Sequence, residues 1–229
     1  MRPEERPEIA RLPLFREMDE TQRSRIFSGS FLQVFPPQLT LFNVGQHADF
    51  LHVLVDGLVE LYIGDDNRDT TMAIVEPVRS FILAAVVTDM PYLMAARTLE
   101  ASRVLLVPAA LMREVICRDT ALMQATMREL ALAFRTMVRS LADMKLRQST
   151  ERLGNHLLRL ADRDGADTVR LRSEKRVVAS LLGMTPENLS RAFAALGQHG
   201  VVVDGTTIRI TDRDRLNAFS RPDAFADPE

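Results

Sequence analysis

SEKRVVASLLGMTPENLSRAFAALGQHGVVVDGTTIRI, residues 173–210, decides the architecture of this chain. An apolar stripe of Val177, Val178, Leu181 and Leu182 predicts a first short helix. Gly183 ends it, because a left-handed backbone costs glycine little. Thr185 stands as N-cap of a second helix, with Pro186 at its first position, where a missing N–H is no loss. Leu189, Ala192, Phe193 and Leu196 then recur at i, i+3, i+4 and i+7 and define a buried face. Glu187, Ser190 and Arg191 are left together on another face. Val201–Asp204, an Asp204-Gly205 hairpin turn and Thr207–Ile210 follow as a two-stranded wing. A helix–turn–helix offering acid, hydroxyl and guanidinium near the start of its second helix has the chemistry that reads base edges in a major groove. Paired helices around a glycine also occur in enzymes, and such a face is also ordinary solvated surface; the wing favours DNA.

Around this motif, Glu151–Arg163 reads as a helix with Leu153, Leu157, Leu158 and Leu160 on its apolar side. Asp164-Gly165 turns it into a short strand, Val169–Leu171, and Asp212–Phe219 is a last short helix before a loose tail, SRPDAFADPE. The DNA-binding domain is placed at 149–221 and the tail at 222–229. Its expected contacts are Thr185, Glu187, Asn188, Ser190 and Arg191 on the second helix, with Lys175 and Arg176 on the first. Residues 149–221 hold 12 Lys/Arg against 9 Asp/Glu, whereas 1–148 hold 17 against 19, so the modest positive excess lies where phosphate contact is expected.

Upstream the period changes. Asp119–Arg147 contains no Gly or Pro, and Met123, Met127, Leu130, Phe134, Met137, Leu141 and Met144 recur at alternating steps of four and three. That is a heptad seam on a helix spanning roughly 43 Å, with Arg128, Glu129, Arg135, Arg139 and Asp143 off it. The seam reads as a coiled coil between identical subunits, at 119–148, against the alternative of packing on the subunit's own β-domain. Residues 30–107 read as short strands after a helical lead-in at Asp19–Phe27. Phe50–Val55, an Asp56-Gly57 turn and Leu58–Ile63 form a hairpin, closed by the GDDN turn at Gly64–Asn67. Met72–Val75, Ser80–Val87 and Leu99–Val107 continue the strands, which together suggest a β-roll or sandwich over 1–118.

Composition is that of an ordinary globular chain with a formal net charge of −2, and gives no global hint of a polyanion partner. One cysteine, Cys117, excludes an internal disulfide framework, an all-cysteine iron–sulfur cluster and a Cys₄ zinc site within one subunit. It suits a cytoplasmic location, and beside an apolar helix it reads as a packed small hydrophobe. The opening MRPEERPEIA does not resemble a signal peptide, and the longest charge-free apolar run, Val104–Met112, is too short to cross a membrane. Among the histidines, His47 reads as solvated in a turn and His52 as a half-buried structural residue. His156 reads as helix surface and His199 as a possible phosphate contact. No Ser-His-Asp set, phosphate loop or His/Glu cluster indicates an enzyme. A cupin-like enzyme or a plain interaction module nonetheless stays open beside the regulator.

A β-roll, a long dimerisation helix and a winged helix–turn–helix in this order resemble the CRP/FNR family of bacterial transcription regulators over nearly the whole chain. LFNVGQHADFLHVLVDGLVELYI (Leu41–Ile63) is similar to the family's roll signature, and LGMTPENLSRAFAALGQHGVV (Leu182–Val202) to its recognition element. The resemblance implies an α+β fold with a cyclic-nucleotide-binding-like jelly roll, a homodimer, double-stranded DNA and RNA polymerase as partners, and no membrane. Glu187, Ser190 and Arg191 match the family's E-x-x-S-R pattern, which implies a TTGAT half-site in an inverted repeat. The cyclic-AMP branch holds its ligand with a Gly-Glu and an Arg-Ser pair; SFILAAVVTDMPYLMAARTLE (Ser80–Glu100) has neither, so cyclic AMP is not expected. The Met90-Pro91-Tyr92 loop and the recognition helix resemble the Dnr/Nnr-like branch, which implies nitric oxide sensed through haem, with His47, His52 or a methionine as donor. The effector itself stays unassigned; its expected place is near Leu83–Val87 and Met123–Leu130.

Overall fold

A computed structural model describes residues 1–65 and 68–221, which divide into two compact units, Met1–Phe134 and Arg135–Glu229. In the first, the strand Phe50–Asp56 (β3) buries Leu51, His52, Val53, Leu54 and Val55 in succession, a run that needs both of its sides covered. Short helices Arg6–Ile9 (α1) and Glu20–Gly29 (α2) precede the strands. Asp19 caps α2 by accepting from Thr21 and Gln22 N–H. The strands Phe31–Phe35 (β1), Thr40–Phe42 (β2), Val59–Asp65 (β4), Arg68–Val75 (β5), Arg79–Phe81 (β6), Ala95–Thr98 (β7) and Ser102–Pro108 (β8) complete two four-stranded antiparallel sheets. Their orders are β1-β8-β3-β6 and β2-β7-β4-β5.

The topology corrects the expected hairpin at Asp56-Gly57. β3 and β4 lie in different sheets, because β8 and β6 already occupy both edges of β3. Gly57, at φ 104°, turns the chain across, and a Cβ there would run into Ser102. The hairpin comes one connection later, between β4 and β5, paired from Val59↔Val75 to Asp65↔Arg68. Of the expected GDDN turn, Asp66 and Asn67 lie outside the described residues. A second correction concerns Ser80–Val87: only Ser80 and Phe81 belong to a strand, and Leu83–Thr88 is a helix (α3). Leu83 and Val86 face inward while Ala84 and Thr88 face out, a helical spacing that a short apolar run conceals. α3 is bracketed by left-handed Ile82 (φ 59°) and Asp89 (φ 56°).

A helix the patterning missed, Ala109–Ile116 (α4), buries Ala109, Met112 and Val115. Cys117 at its end is exposed, not packed as expected. Asp119 then starts the long helix Thr120–Leu146 (α5): its carboxylate accepts from Leu122 N–H at 2.8 Å and from Asp19 N–H at 2.9 Å. Leu122 is fully buried in the roll core.

In the second unit Ser149–Asp164 (α6) ends at left-handed Gly165. The strand Thr168–Arg170 (β9), the helices Lys175–Leu181 (α7) and Pro186–Leu196 (α8), the strands Val201–Asp204 (β10) and Thr207–Ile210 (β11), and the helix Arg213–Ser220 (α9) follow. The wing is three-stranded, in the order β10-β11-β9, and its two-residue loop is Gly205-Thr206, since Asp204 pairs with Thr207. Leu153, Leu157, Val178, Leu189, Leu196, Ile208 and Leu216 share one buried cluster. The expected tail at 222–229 lies outside the described residues. No helix among the described residues is long and apolar enough to cross a membrane.

Candidate nucleic-acid interface

Thr185 caps α8, its Oγ1 accepting from Asn188 N–H at 3.2 Å, with Pro186 at the first helical position. The cap and the buried row Leu189, Ala192, Phe193 and Leu196 fix which face of α8 turns outward. On that face Glu187, Ser190 and Arg191 are exposed, and Asn188 is partly buried beside them. Arg191 donates to Asn188 Oδ1, and Ser190 Oγ donates to Pro186 O at 3.0 Å. Glu187 is held below the usual carboxylate range, first by its own backbone N–H, then by the Thr185 hydroxyl and by the charge of Arg191. Each of these three polar groups therefore has a partner on its own turn of helix. Such exposed local bonds contribute little net free energy and exchange readily for other partners.

Lys175 and Arg176 stand exposed at the start of α7, and the Lys175 ammonium lies 5.9 Å from the Phe193 ring centre. Patterning missed two further cations, Arg170 and Arg209, exposed on the wing. Strand alternation held the signal: Val169 and Ile208 point inward, so Arg170 and Arg209 point out. His199, expected near a phosphate, is stacked on Phe219 with ring centres 3.9 Å apart. His156 is not ordinary helix surface. It is partly buried, and desolvation, with Arg159 and Arg163 adding to it, lowers its pKa to about 4.

Along α5, Met123, Met127, Phe134, Met137, Leu141 and Met144 are all exposed, Phe134 by 64 % and Met137 by 66 %. Leu130 is the exception, half-buried against the roll core. Such a row of large apolar side chains is what a covering surface would bury.

Inside the roll, His52 is 6 % exposed, more buried than expected. Its ring centre lies 4.9 Å from Phe42 and 5.3 Å from Phe81, so it bridges the two sheets. Desolvation lowers its pKa to about 4, against a smaller opposing hydrogen bond with the Phe50 backbone. A cleft of about 400 Å³ opens beside it, lined by Leu41, Gln46, His47, Asp49 and Tyr92 among others. Leu83, Val86 and Leu122, near the expected effector position, belong to the buried core. Arg97 is committed to Glu60 at 2.7 Å and Asp69 at 2.6 Å and lies over the Tyr62 ring. Of the histidines named as haem donors, His52 is enclosed by aromatic rings, and exposed His47 is paired with Asp49 at 3.0 Å and Asp89 at 3.5 Å. Among the described residues no three His, Cys, Asp or Glu side chains are grouped to hold a metal.

Comparison with known proteins matches residues 32–119 to a cyclic nucleotide-binding domain and residues 151–219 to a Crp-like helix-turn-helix domain, which together span more than half of the chain. A CRP-like cAMP-activated global transcriptional regulator of Mycobacterium tuberculosis is 25% identical over 194 residues, 82% of this chain and 87% of that protein. FixK2 from Bradyrhizobium japonicum superposes with a TM-score of 0.74 at 21% identity, over 83% of this chain and 96% of its own. A CooA variant from Carboxydothermus hydrogenoformans gives 0.73 at 16%, over 85% and 89%.

Proposed function

Since the chain belongs to the CRP/FNR family of DNA-binding transcription regulators, we propose that it acts as a homodimer reading an inverted repeat of TTGAT-like half-sites, in response to an effector other than cyclic AMP. The observation that carries this reading is the outward face of α8, where Glu187, Ser190 and Arg191 stand exposed on a helix whose opposite face is core. A carboxylate accepts from cytosine N4, a guanidinium forks onto guanine O6 and N7, and a hydroxyl reaches a neighbouring base. Thr185 and Asn188 support the face, while Lys175, Arg176, Arg170 and Arg209 supply phosphate contacts that position without specifying.

The exposed α5 seam supports a two-fold dimer, which sets two reading helices about 34 Å apart on one side of the duplex. RNA polymerase is the partner the bound dimer would recruit. The roll argues against cyclic AMP: neither phosphate-holding pair is present, and Arg97 is engaged by two carboxylates. A Dnr/Nnr-like role rests on the Met90-Pro91-Tyr92 loop and the α8 sequence.

Anisotropy titrations with TTGAT-N4-ATCAA and scrambled duplexes test the reading. Equal affinity for both would overturn it. Cyclic AMP at millimolar concentration is expected to leave the binding curve unchanged.

A further inference from the structure

The end of α5 and the turn between α7 and α8 meet on one side chain. Arg152, in the first turn of α6, donates from Nη1 to Arg147 O at 2.8 Å. The same guanidinium donates from Nε to Leu182 O at 3.0 Å and from Nη2 to Gly183 O at 3.4 Å. Both groups of acceptors lie just beyond helix C-termini, where carbonyls lack intrahelical donors and partial charge is negative. A guanidinium carries five donors in a rigid fork and never loses its charge, so one side chain serves both ends at once.

Neighbouring contacts brace the same junction. A Cβ built on Gly183 would lie 3.8 Å from Met144 Cε, so the α5 seam reaches the helix–turn–helix turn itself. Asp143, 6 % exposed, accepts from Arg147 and, at 3.0 Å, from Arg159 of α6. Arg147 also donates to Arg221 O at the end of α9, at 3.0 Å. All of these groups belong to the C-terminal unit.

We propose that Arg152 is a positioning residue for DNA recognition: it fixes the angle between the end of α5 and the reading helix, and thereby the separation of the two reading helices in the dimer. The inference rests on the paired-subunit reading above. Arg152 lies on α6 and spends its donors on backbone carbonyls, so its loss leaves the chemistry of Glu187, Ser190 and Arg191 intact while loosening the frame that carries them.

The test compares the full-length chain with Arg152→Ala and Arg152→Lys. Anisotropy is measured on inverted repeats that differ only in spacer length, and on single half-sites against scrambled DNA. The wild-type chain should prefer one spacer over its neighbours by about tenfold, and Arg152→Ala should reduce this to about twofold with half-site preference unchanged. Arg152→Lys, able to reach one acceptor group, should fall between. Full spacer preference in Arg152→Ala overturns the proposal, and so does a parallel loss of affinity on every duplex, which marks a merely structural role. Hydrogen exchange on the unbound proteins decides independently: segments 141–148 and 179–186 should both exchange faster in Arg152→Ala. Faster exchange in only one, or in neither, overturns the coupling. A wild-type chain indifferent to spacing would instead sink the paired-subunit reading, leaving the exchange result to judge Arg152.

Discussion

The outward face of α8 and the interior of the roll use polar side chains in opposite ways. On α8, Glu187, Ser190 and Arg191 are exposed and bonded only to groups within their own turn, so nothing distant must move before they meet a ligand. In the roll, His52 and Glu60 are buried and bound into the packing: His52 among Phe42 and Phe81, Glu60 against Thr71 and Arg97. A polar group buried with its partners stiffens a fold, whereas one held outward on a rigid helix is available for recognition. The two halves of one family plan thus differ in kind. The DNA-binding half keeps its polar groups outward, and the roll binds His52 and Glu60 into its packing.

The largest effect that would break this comparison lies in the helix both halves share. Phe134→Asp, placing a charge in the exposed seam, should yield monomers in sedimentation and lower affinity for the inverted repeat by about 10²–10⁴-fold through lost avidity. A dimer that survives would remove the seam from the account. Next comes backbone geometry. Gly57→Ala puts a Cβ against Ser102 at a positive φ and should cost about 3 kcal/mol or more in urea unfolding. Gly205→Ala in the wing meets nothing within 4 Å and should cost about 1 kcal/mol. Comparable losses would contradict the view that the roll crossing is the tighter of the two.

Protonation supplies the third test. His52 and His156 both titrate near 4 in the folded chain, below the usual histidine range. Between about pH 6.5 and 4 the unfolded state binds protons that the folded state refuses, so stability is complete above that window and falls as pH drops through it. Urea midpoints should decline over the window, by up to about 3 kcal/mol for buried His52 and less for partly solvated His156. His52→Phe should flatten its share, and an unchanged slope would show that the ring is not desolvated. The proposed DNA contacts come last. Glu187→Ala should cost about 1–3 kcal/mol of discrimination at one base pair. Arg176→Ala should weaken all duplexes alike and lower the salt slope by about 1, and altered base preference would move it into the reading face.

Legibility followed the range of the forces involved. The α7–turn–α8 segment was readable because its cap, proline, glycine and apolar stripe act within a few residues of one another. Strand pairing was not. Asp56-Gly57 looks like a hairpin turn, yet it crosses between sheets because β8 and β6 hold the edges of β3. The run Leu83–Val87 fits strand and helix equally until its neighbours choose, and α4 went unseen behind Pro108. Cys117 is more exposed and His52 more buried than local pattern implies for the same reason: exposure depends on what packs across from a residue, which local pattern does not contain.

Periodicity and local turn chemistry by themselves determined that this chain has a strand-rich first half, a long apolar-seamed helix and a winged helix–turn–helix, with three polar groups on its outer face. Tertiary structure alone decided which strands pair, that aromatic rings enclose His52, and that Arg152 joins the end of α5 to the helix–turn–helix turn. Local signals arise from steric and hydrogen-bonding preferences between near neighbours, whereas pairing, burial and bridging arise between residues far apart in the chain, where only the folded arrangement selects the partner.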